Sequence, residues 1–366
     1  MYDYLIVGGG FFGSVFAREA TDSGKKCLVI DRRNHIGGNA YSYKDLGIDV
    51  HKYGPHIFHT NNKPLWDYVN RFDNFIPYFN QGKVYYNNKL YSFPINLLTF
   101  NQLWGVTTPE QAKILIEQKK VNISNPQNLE EYVLSIVGQE IYETFIRGYT
   151  KKQWGRDPKE LPISIIKRIP IRYNFRDFST DDIFSGIPQN GYHTVFNNLL
   201  KGIDVQLNTD YFNNRIQLNS LAKKVVFTGC IDQFFDYQFG SLQYRSVRFE
   251  NEVHALDDYQ GNALINYTNE EIPYTRICEH KHFLPHKKIN GITIVSKEFS
   301  QEWKPGIEPY YPINDDINNN TYKKYLEKSK TYKNIIFGGR LSEYKYYDMH
   351  QVIASSLMLV KKELNS

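Results

Sequence analysis

The apolar run Tyr4-Leu5-Ile6-Val7 ends abruptly at Gly8-Gly9-Gly10. A short apolar run closed by glycine reads as a buried strand. From Ser14 to about Asp22 the pattern becomes helical, and Cys27 to Asp31 reads as a second strand, so the chain opens as strand, turn, helix, strand. Between about Pro109 and Gln153 the period is helical again, with Leu129, Tyr132, Val133 and Ile136 at three- and four-residue spacing before Gly138. Val84-Tyr85-Tyr86 before Asn87-Asn88, and Ile292 to Val295 after Asn290-Gly291, predict antiparallel strands around tight turns. Lys223 to Gly229 and Asn334 to Gly339 read as buried strands that return the chain to the first sheet. Asn318-Asn319-Asn320 reads as a polar loop, and the chain has no internal repeat.

These patterns predict an α/β protein with a discontinuous Rossmann-like nucleotide domain over 1–80, 187–245 and 318–366. A helical insertion domain follows over 100–160, and an antiparallel sheet and substrate domain over 81–99, 161–186 and 246–317. Composition fits such an assembly: 366 residues, 41% of them apolar and 23% charged, exclude a disulfide-stapled miniprotein and a disordered chain. A net charge of +5 over this length suits a small anionic ligand better than a nucleic-acid footprint, so no nucleic-acid partner is expected. The 29 tyrosines stand out, because each offers a flat apolar face and a hydroxyl to sugars or phosphates. Cys27, Cys230 and Cys278 are odd in number and far apart, which points away from disulfides and zinc and towards a reducing cytoplasm. The N-terminus has no basic segment leading into a long apolar one, and no apolar run approaches the roughly 20 residues of a membrane helix. No signal peptide and no integral membrane segment are expected.

Gly8-x-Gly10-x-x-Gly13 lies between the first strand and helix, where glycines bring backbone N–H groups against a pyrophosphate. Asp31 ends the second strand 18 residues after Gly13, placed to accept ribose hydroxyls. The bland alternative is a glycine turn needed only for packing the helix on the sheet. Arg33-Asn34-His35-Ile36-Gly37-Gly38-Asn39 is similar to the second glycine pair of many FAD-binding oxidases.

Longer motifs carry a closer likeness. Gly54-Pro55-His56-Ile57-Phe58-His59-Thr60 and Gly148-Tyr149-Thr150-Lys151-Lys152-Gln153-Trp154-Gly155 resemble signatures of the bacterial UDP-galactopyranose mutases. Tyr274-Thr275-Arg276 with Glu279-His280, Pro309-Tyr310-Tyr311-Pro312, and Gly339-Arg340 with Tyr344, Tyr346, Asp348 and Met349 follow in the family's order, from about Tyr2 to Leu364. One departure is visible: Asp177-Phe178-Ser179-Thr180 lacks the tyrosine that many members carry before the Gly186-Ile187-Pro188 turn.

The resemblance implies that UDP-galactopyranose and UDP-galactofuranose are interconverted without net redox change. Reduced FAD attacks the anomeric carbon through N5, UDP is the leaving group, and an external reductant primes the flavin. It also implies a homodimer serving cell-surface polysaccharide synthesis. Cofactor contacts would come from Gly8, Gly10, Phe12, Gly13, Asp31, Arg32, Gly38, Asn39, His56, Arg340, Asp348 and Met349. Arg168 and Arg276 would clamp the diphosphate, since a guanidinium forks onto phosphate oxygens and steadies the charge that grows on the departing group. Tyr311 and Tyr346 would add hydroxyls. Phe145 and Tyr149, four apart on one helix, would grip the uracil with Asn266 on its edge, and Trp154 would wall the sugar. His56 would stand by the flavin's reactive edge and His59 by the sugar.

Each residue also has a purely structural role open to it: surface charge for the arginines, aromatic packing for the tyrosines and Phe145, a structural role for His59, a helix cap for Asp348. His56 and His59 have too few acids or thiols nearby to suggest a metal. Two alternatives share the nucleotide fold. An amine-oxidase-type FAD oxidoreductase would release hydrogen peroxide or consume NAD(P)H in proportion to product. A non-catalytic protein like the GDP-dissociation inhibitors would purify without flavin colour.

Overall fold

A computed structural model of the chain describes residues 1–166 and 171–365. The described chain divides into two compact units: unit 1 comprises Met1–Pro77, Asp182–Ser246 and Trp303–Ser366, and unit 2 comprises Tyr78–Asp181 and Val247–Glu302. Unit 2 is thus built from two insertions into unit 1.

Unit 1 opens as the pattern predicts, with β1 (Tyr2–Val7), α1 (Phe11–Asp22) and β2 (Cys27–Ile30). Its parallel sheet has the order Asp204–Gln206, β2, β1, Ala222–Phe227, Ile335–Phe337. The period-2 alternation of strands sorts their side chains onto two covered faces. Tyr4, Ile6, Val29 and Val226 pack with Phe12, Val15 and Phe16 of α1 and with Ile353, while Leu5, Leu28, Ile30, Val225 and Phe227 pack with Ile231, Phe234 and Tyr325. The helix Met349–Leu364 closes over α1, and its Ser356 hydroxyl donates to the Phe12 carbonyl at 2.8 Å. A smaller antiparallel sheet pairs Phe58–Thr60 and Phe75–Pro77 with the central strand Phe184–Pro188.

Unit 2 joins a sheet to a helical stretch. The strand Tyr244–His254 runs on from unit 1 and is followed in sheet order by Thr293–Glu302, Arg276–Glu279, Leu264–Tyr267, Lys83–Tyr86 and Lys89–Ser92. Leu264–Tyr267 and Lys83–Tyr86 are parallel, so the sheet is not wholly antiparallel as expected. Asn87 and Asn88 turn the last hairpin at φ of +49° and +60°, a conformation asparagine tolerates. The helices Leu97–Trp104, Pro109–Lys119 and Leu129–Val137 start at Asn96, Thr108 and Asn128, whose side chains accept first-turn N–H groups. Phe100, Ile116, Leu129, Val133 and Ile141 share one core with Val84 and Tyr91 of the sheet, so the helical stretch has no separate core.

The asparagine run also differs from expectation. Asn318 to Asn320 lie in the helix Asp316–Ser329, capped by Asp315. Asn318 is buried, donating to Asp315 and accepting the Gln243 N–H, so tertiary contacts outweigh its poor helix propensity. Among the described residues, no helix is long and apolar enough to cross a membrane.

Candidate active site

In unit 1 the three glycines of the first turn do different work. Gly8 has φ of +108°, a region that side chains avoid. A Cβ on Gly13 would lie 2.0 Å from the Gly8 carbonyl oxygen, so α1 packs on the turn only with glycine there. At Gly10, by contrast, a Cβ would meet nothing nearer than 3.7 Å, the Cα of Gly38. The two glycine loops therefore leave an open cradle at the N-terminus of α1, where Gly10 provides no side-chain cap and the helix dipole favours an anion.

Asp31 accepts the Gly9 and Arg33 N–H groups, one on each carboxylate oxygen and both at 2.9 Å, and each oxygen retains a second lone pair for a hydroxyl. One terminal nitrogen of Arg33 donates to Asn39 and Glu308, at 2.9 and 2.7 Å. The other is buried without a hydrogen-bond partner. Burial raises the Glu308 carboxyl, but Arg33 and then Arg32 outweigh it and hold the group ionised below the usual range. An open glycine cradle and an orphaned guanidinium nitrogen fit the pyrophosphate of a flavin dinucleotide.

A second cluster in unit 1 gathers residues from distant stretches. Arg340 donates to the Tyr310 carbonyl at 2.8 Å and lies over the Tyr346 ring at 5.4 Å, and the Tyr346 and Tyr311 rings are 5.3 Å apart. Asp348 caps the helix Met349–Leu364 in a reciprocal box with Gln351, so the cap reading of this residue is realised. The His56 Nδ1 lies 2.8 Å from the Gly54 carbonyl, which makes it the protonated nitrogen, and the His56 N–H donates to His51 Nδ1 at 3.0 Å. Nδ1 of His59 meets Asp182 Oδ2 at 2.6 Å, while the other Asp182 oxygen accepts the Asn61 amide. The His59 ring lies 5.4 Å from that of His350, whose pKa burial and then His59 push down. His59, His350 and Asp348 place ligand-type atoms within 4.8 Å of one another, although the aspartate is engaged as a cap and the His59 Nδ1 by Asp182. Asp181, one residue before Asp182, is bound within unit 2 by Arg172 at 2.9 Å and Arg176 at 3.3 Å.

In unit 2, Arg276 stands opposite Glu298 across the sheet, and its Nε and one terminal nitrogen both reach Glu298 Oε2 at 2.8 Å. Glu298 is buried, so the guanidinium is held by a carboxylate with little freedom of its own. Asn266 faces Arg276 on the neighbouring strand. Tyr149 and Trp154 lie on the helix Gly148–Trp154. Phe145 departs from expectation: it sits in the π-helical stretch Tyr142–Arg147, 3% exposed, against Tyr91 and Phe93. A π turn shifts the helical phase from the four-residue spacing expected here, and the Phe145 ring packs in the core of unit 2. Arg168 lies outside the described residues.

Sequence reasoning missed three residues. Asp182 and His350 join His59 only through the fold, and no local spacing announces them. Lys152 stands inside a quoted motif, but its partners, four backbone carbonyls, carry no sequence signal. The three cysteines are buried, and burial raises their thiols, Cys27 to about 11 and Cys230 to about 12, so none is a ready nucleophile.

Comparison with known proteins adds to this geometry. A family profile described as UDP-galactopyranose mutase matches residues 144–346, and one described as an NAD(P)-binding Rossmann-like domain matches 6–72. The chain is 42% identical to the dTDP-fucopyranose mutase of Escherichia coli, over 98% of this chain and 97% of that one. It is 41% identical to the probable UDP-galactopyranose mutase of Klebsiella pneumoniae, over 99% and 94%. The fold is similar to the crystal structure of a reduced UDP-galactopyranose mutase at a TM-score of 0.74, with 13% identity over 100% of this chain and 96% of that one.

Proposed function

The chain belongs to the UDP-galactopyranose mutase family, and from this premise we propose that it interconverts UDP-galactopyranose and UDP-galactofuranose with no net redox change. The observation that carries the reading is similarity to mutases along nearly the whole length, nucleotide unit and insertions together. The fold alone does not separate mutase from oxidase, since an oxidase matches the whole chain too; the 41–42% identity to mutases through both units does.

The flavin, when bound in its reduced form, supplies the nucleophilic N5 for the anomeric carbon. The protein's own task is to bind, orient and exclude water. Gly8, Gly10 and Gly13 give the pyrophosphate a backbone cradle, and Asp31 offers its carboxylate to the ribose. Phe12, Arg32, Gly38, Asn39, Arg340, Asp348 and Met349 complete the cofactor contacts. Arg276, preset by Glu298, and Arg168 hold the nucleotide diphosphate and stabilise the charge it gains on leaving. Tyr311 and Tyr346 offer hydroxyls to phosphate, and Tyr149, Trp154 and Asn266 take the base and sugar. His56 handles protons beside the flavin, and His59, oriented by Asp182, faces the sugar. An external reductant primes a homodimeric cytoplasmic enzyme whose product feeds surface polysaccharide.

The identity to a dTDP-fucopyranose mutase favours a second substrate, a 6-deoxy sugar on a thymidine diphosphate. Dithionite-reduced protein is incubated separately with UDP-galactofuranose and dTDP-fucofuranose, and the pyranose forms are sought by chromatography. Conversion of the first supports the proposal, conversion of the second alone reassigns the substrate, and conversion of neither removes the activity. Peroxide formed in proportion to product, or a protein without flavin absorbance, restores the oxidase or the binding-protein reading.

A further inference from the structure

The side chain of Lys152 ends in a cage of carbonyl oxygens. Its Nζ donates to the backbone carbonyls of Tyr267, Asn269, Ile272 and Tyr274, at 2.7, 2.8, 3.0 and 3.0 Å. An ammonium has three N–H bonds, so four acceptors at these distances share them, as oxygen ligands share a bound cation. All four carbonyls belong to one turn, which joins the strand Leu264–Tyr267 to the strand Arg276–Glu279. Without a cation at its centre, this turn would point several carbonyl dipoles at one another.

Further contacts tie the same turn to the helix Gly148–Trp154 and to the π-helical stretch before it. A Cβ on Gly148 would lie 2.0 Å from the Thr268 carbonyl oxygen, so helix and turn are in direct backbone contact. The Thr268 hydroxyl donates to the Thr144 carbonyl at 2.6 Å, and Lys151 pairs with Glu270 at 2.8 Å. The turn's two roots are Asn266 and Arg276, facing each other in register. The helix carries Tyr149 and Trp154. The proposed nucleotide contacts of unit 2 thus lie on two elements whose mutual placement converges on one ammonium group.

We propose that Lys152 is a positioning residue: its ammonium holds the Tyr267–Tyr274 turn in the conformation that sets Asn266 and Arg276 for the nucleotide diphosphate. The proposal rests on the nucleotide-sugar reading above and goes beyond it, since that reading gives Lys152 no part in holding the substrate.

The test uses the full-length, flavin-loaded protein and its Lys152→Ala variant, with UDP as the probe in calorimetric titration. UDP affinity is expected to fall about tenfold or more, the loss of a charge-assisted hydrogen-bond set, with flavin loading unchanged because the cofactor residues lie in unit 1. The Michaelis constant for the nucleotide sugar should rise by more than the turnover number falls. Ethylammonium added to the variant should restore UDP affinity, and tetramethylammonium, which has no N–H, should not. UDP affinity within twofold of wild type overturns the proposal, as does a loss that neither cation or both cations repair. Should the alanine variant fail to fold, Lys152→Met keeps the aliphatic stem and is read by UDP affinity alone, since its side chain leaves no room for an added cation; failure of both to fold makes Lys152 a folding requirement and ends the positioning claim. A wild-type protein that binds no UDP removes the nucleotide-sugar reading and this proposal with it, whereas wild-type binding with an unaffected variant removes the proposal alone.

Discussion

Replacing Arg276 with alanine should do two separable things. The guanidinium satisfies Glu298, whose side chain is 3% exposed, through two nitrogens at 2.8 Å on one oxygen. Removing one partner of such a pair strands a buried carboxylate at a cost of about 3–5 kcal/mol. The Arg276 side chain is 23% exposed, so water enters part of the space it vacates and the lower figure, about 3 kcal/mol, applies. For a unit of this size that corresponds to a melting shift of roughly 6–12 °C. The second effect is on ligand: losing a charged hydrogen bond to phosphate costs about 2 kcal/mol, roughly thirtyfold in UDP affinity. The double variant Arg276→Ala, Glu298→Gln separates the two, since a neutral amide no longer needs the guanidinium. It should regain most of the melting temperature and none of the UDP affinity. Thermal melts by circular dichroism and calorimetric titration with UDP, both on flavin-loaded protein, read the two quantities independently. An affinity within threefold of wild type in the single variant, or recovered affinity in the double one, would refute the assignment of Arg276 to the diphosphate.

Gly10→Val should fold with normal circular dichroism and lose flavin absorbance, because its side chain enters only the open cradle, whereas Gly13→Ala, with a Cβ 2.0 Å from a carbonyl oxygen, should fail to fold. Asp182→Asn should keep flavin and cut turnover about tenfold, since an amide can face His59 Nδ1 as donor or acceptor and no longer fixes the tautomer; unchanged turnover would remove His59 orientation from the mechanism. Acid should destabilise unit 2 in two stages. Burial pushes His280 down to about 3, and although burial alone would raise Glu279, His282 and the N–H groups of Tyr259 and Gln260 hold it at about 2. Both groups bind protons more readily unfolded than folded, so the His280 contribution fades as pH falls below 6.5 and the Glu279 contribution as it falls below 4.5. Urea midpoints measured against pH should show both stages, and His280→Gln should abolish the upper one.

Legibility in the sequence tracked the range of the physics involved. The glycine turn with its strand and helix, and the Asn87-Asn88 hairpin, were readable because backbone preference and local spacing decide them. The helical state of Asn318 is not legible locally, because a buried contact with the Gln243 N–H, 75 residues away, helps decide it. The burial of Phe145 against Tyr91 and Phe93, in a π-helical stretch, is decided by partners more than fifty residues away and has no local signature. The Asp182 partner of His59 lies 123 residues off in sequence. Family motifs identified the region of Lys152, but only the three-dimensional path of the turn reveals what its ammonium touches.

The closing of Met349–Leu364 over α1 has a consequence for how the protein is made. The ribosome delivers the first strand and helix early, yet Phe12, Val15 and Phe16 bury against Ile353 only after more than three hundred further residues have been synthesised. Unit 2 ends at Glu302, so both of its segments emerge before the last strand and helix of unit 1. The inserted unit can therefore complete its core during translation while the nucleotide unit that surrounds it in sequence still waits for its final helix. A premature stop before Met349 would release a chain with an intact inner unit and an exposed apolar α1, a substrate for chaperones and proteases.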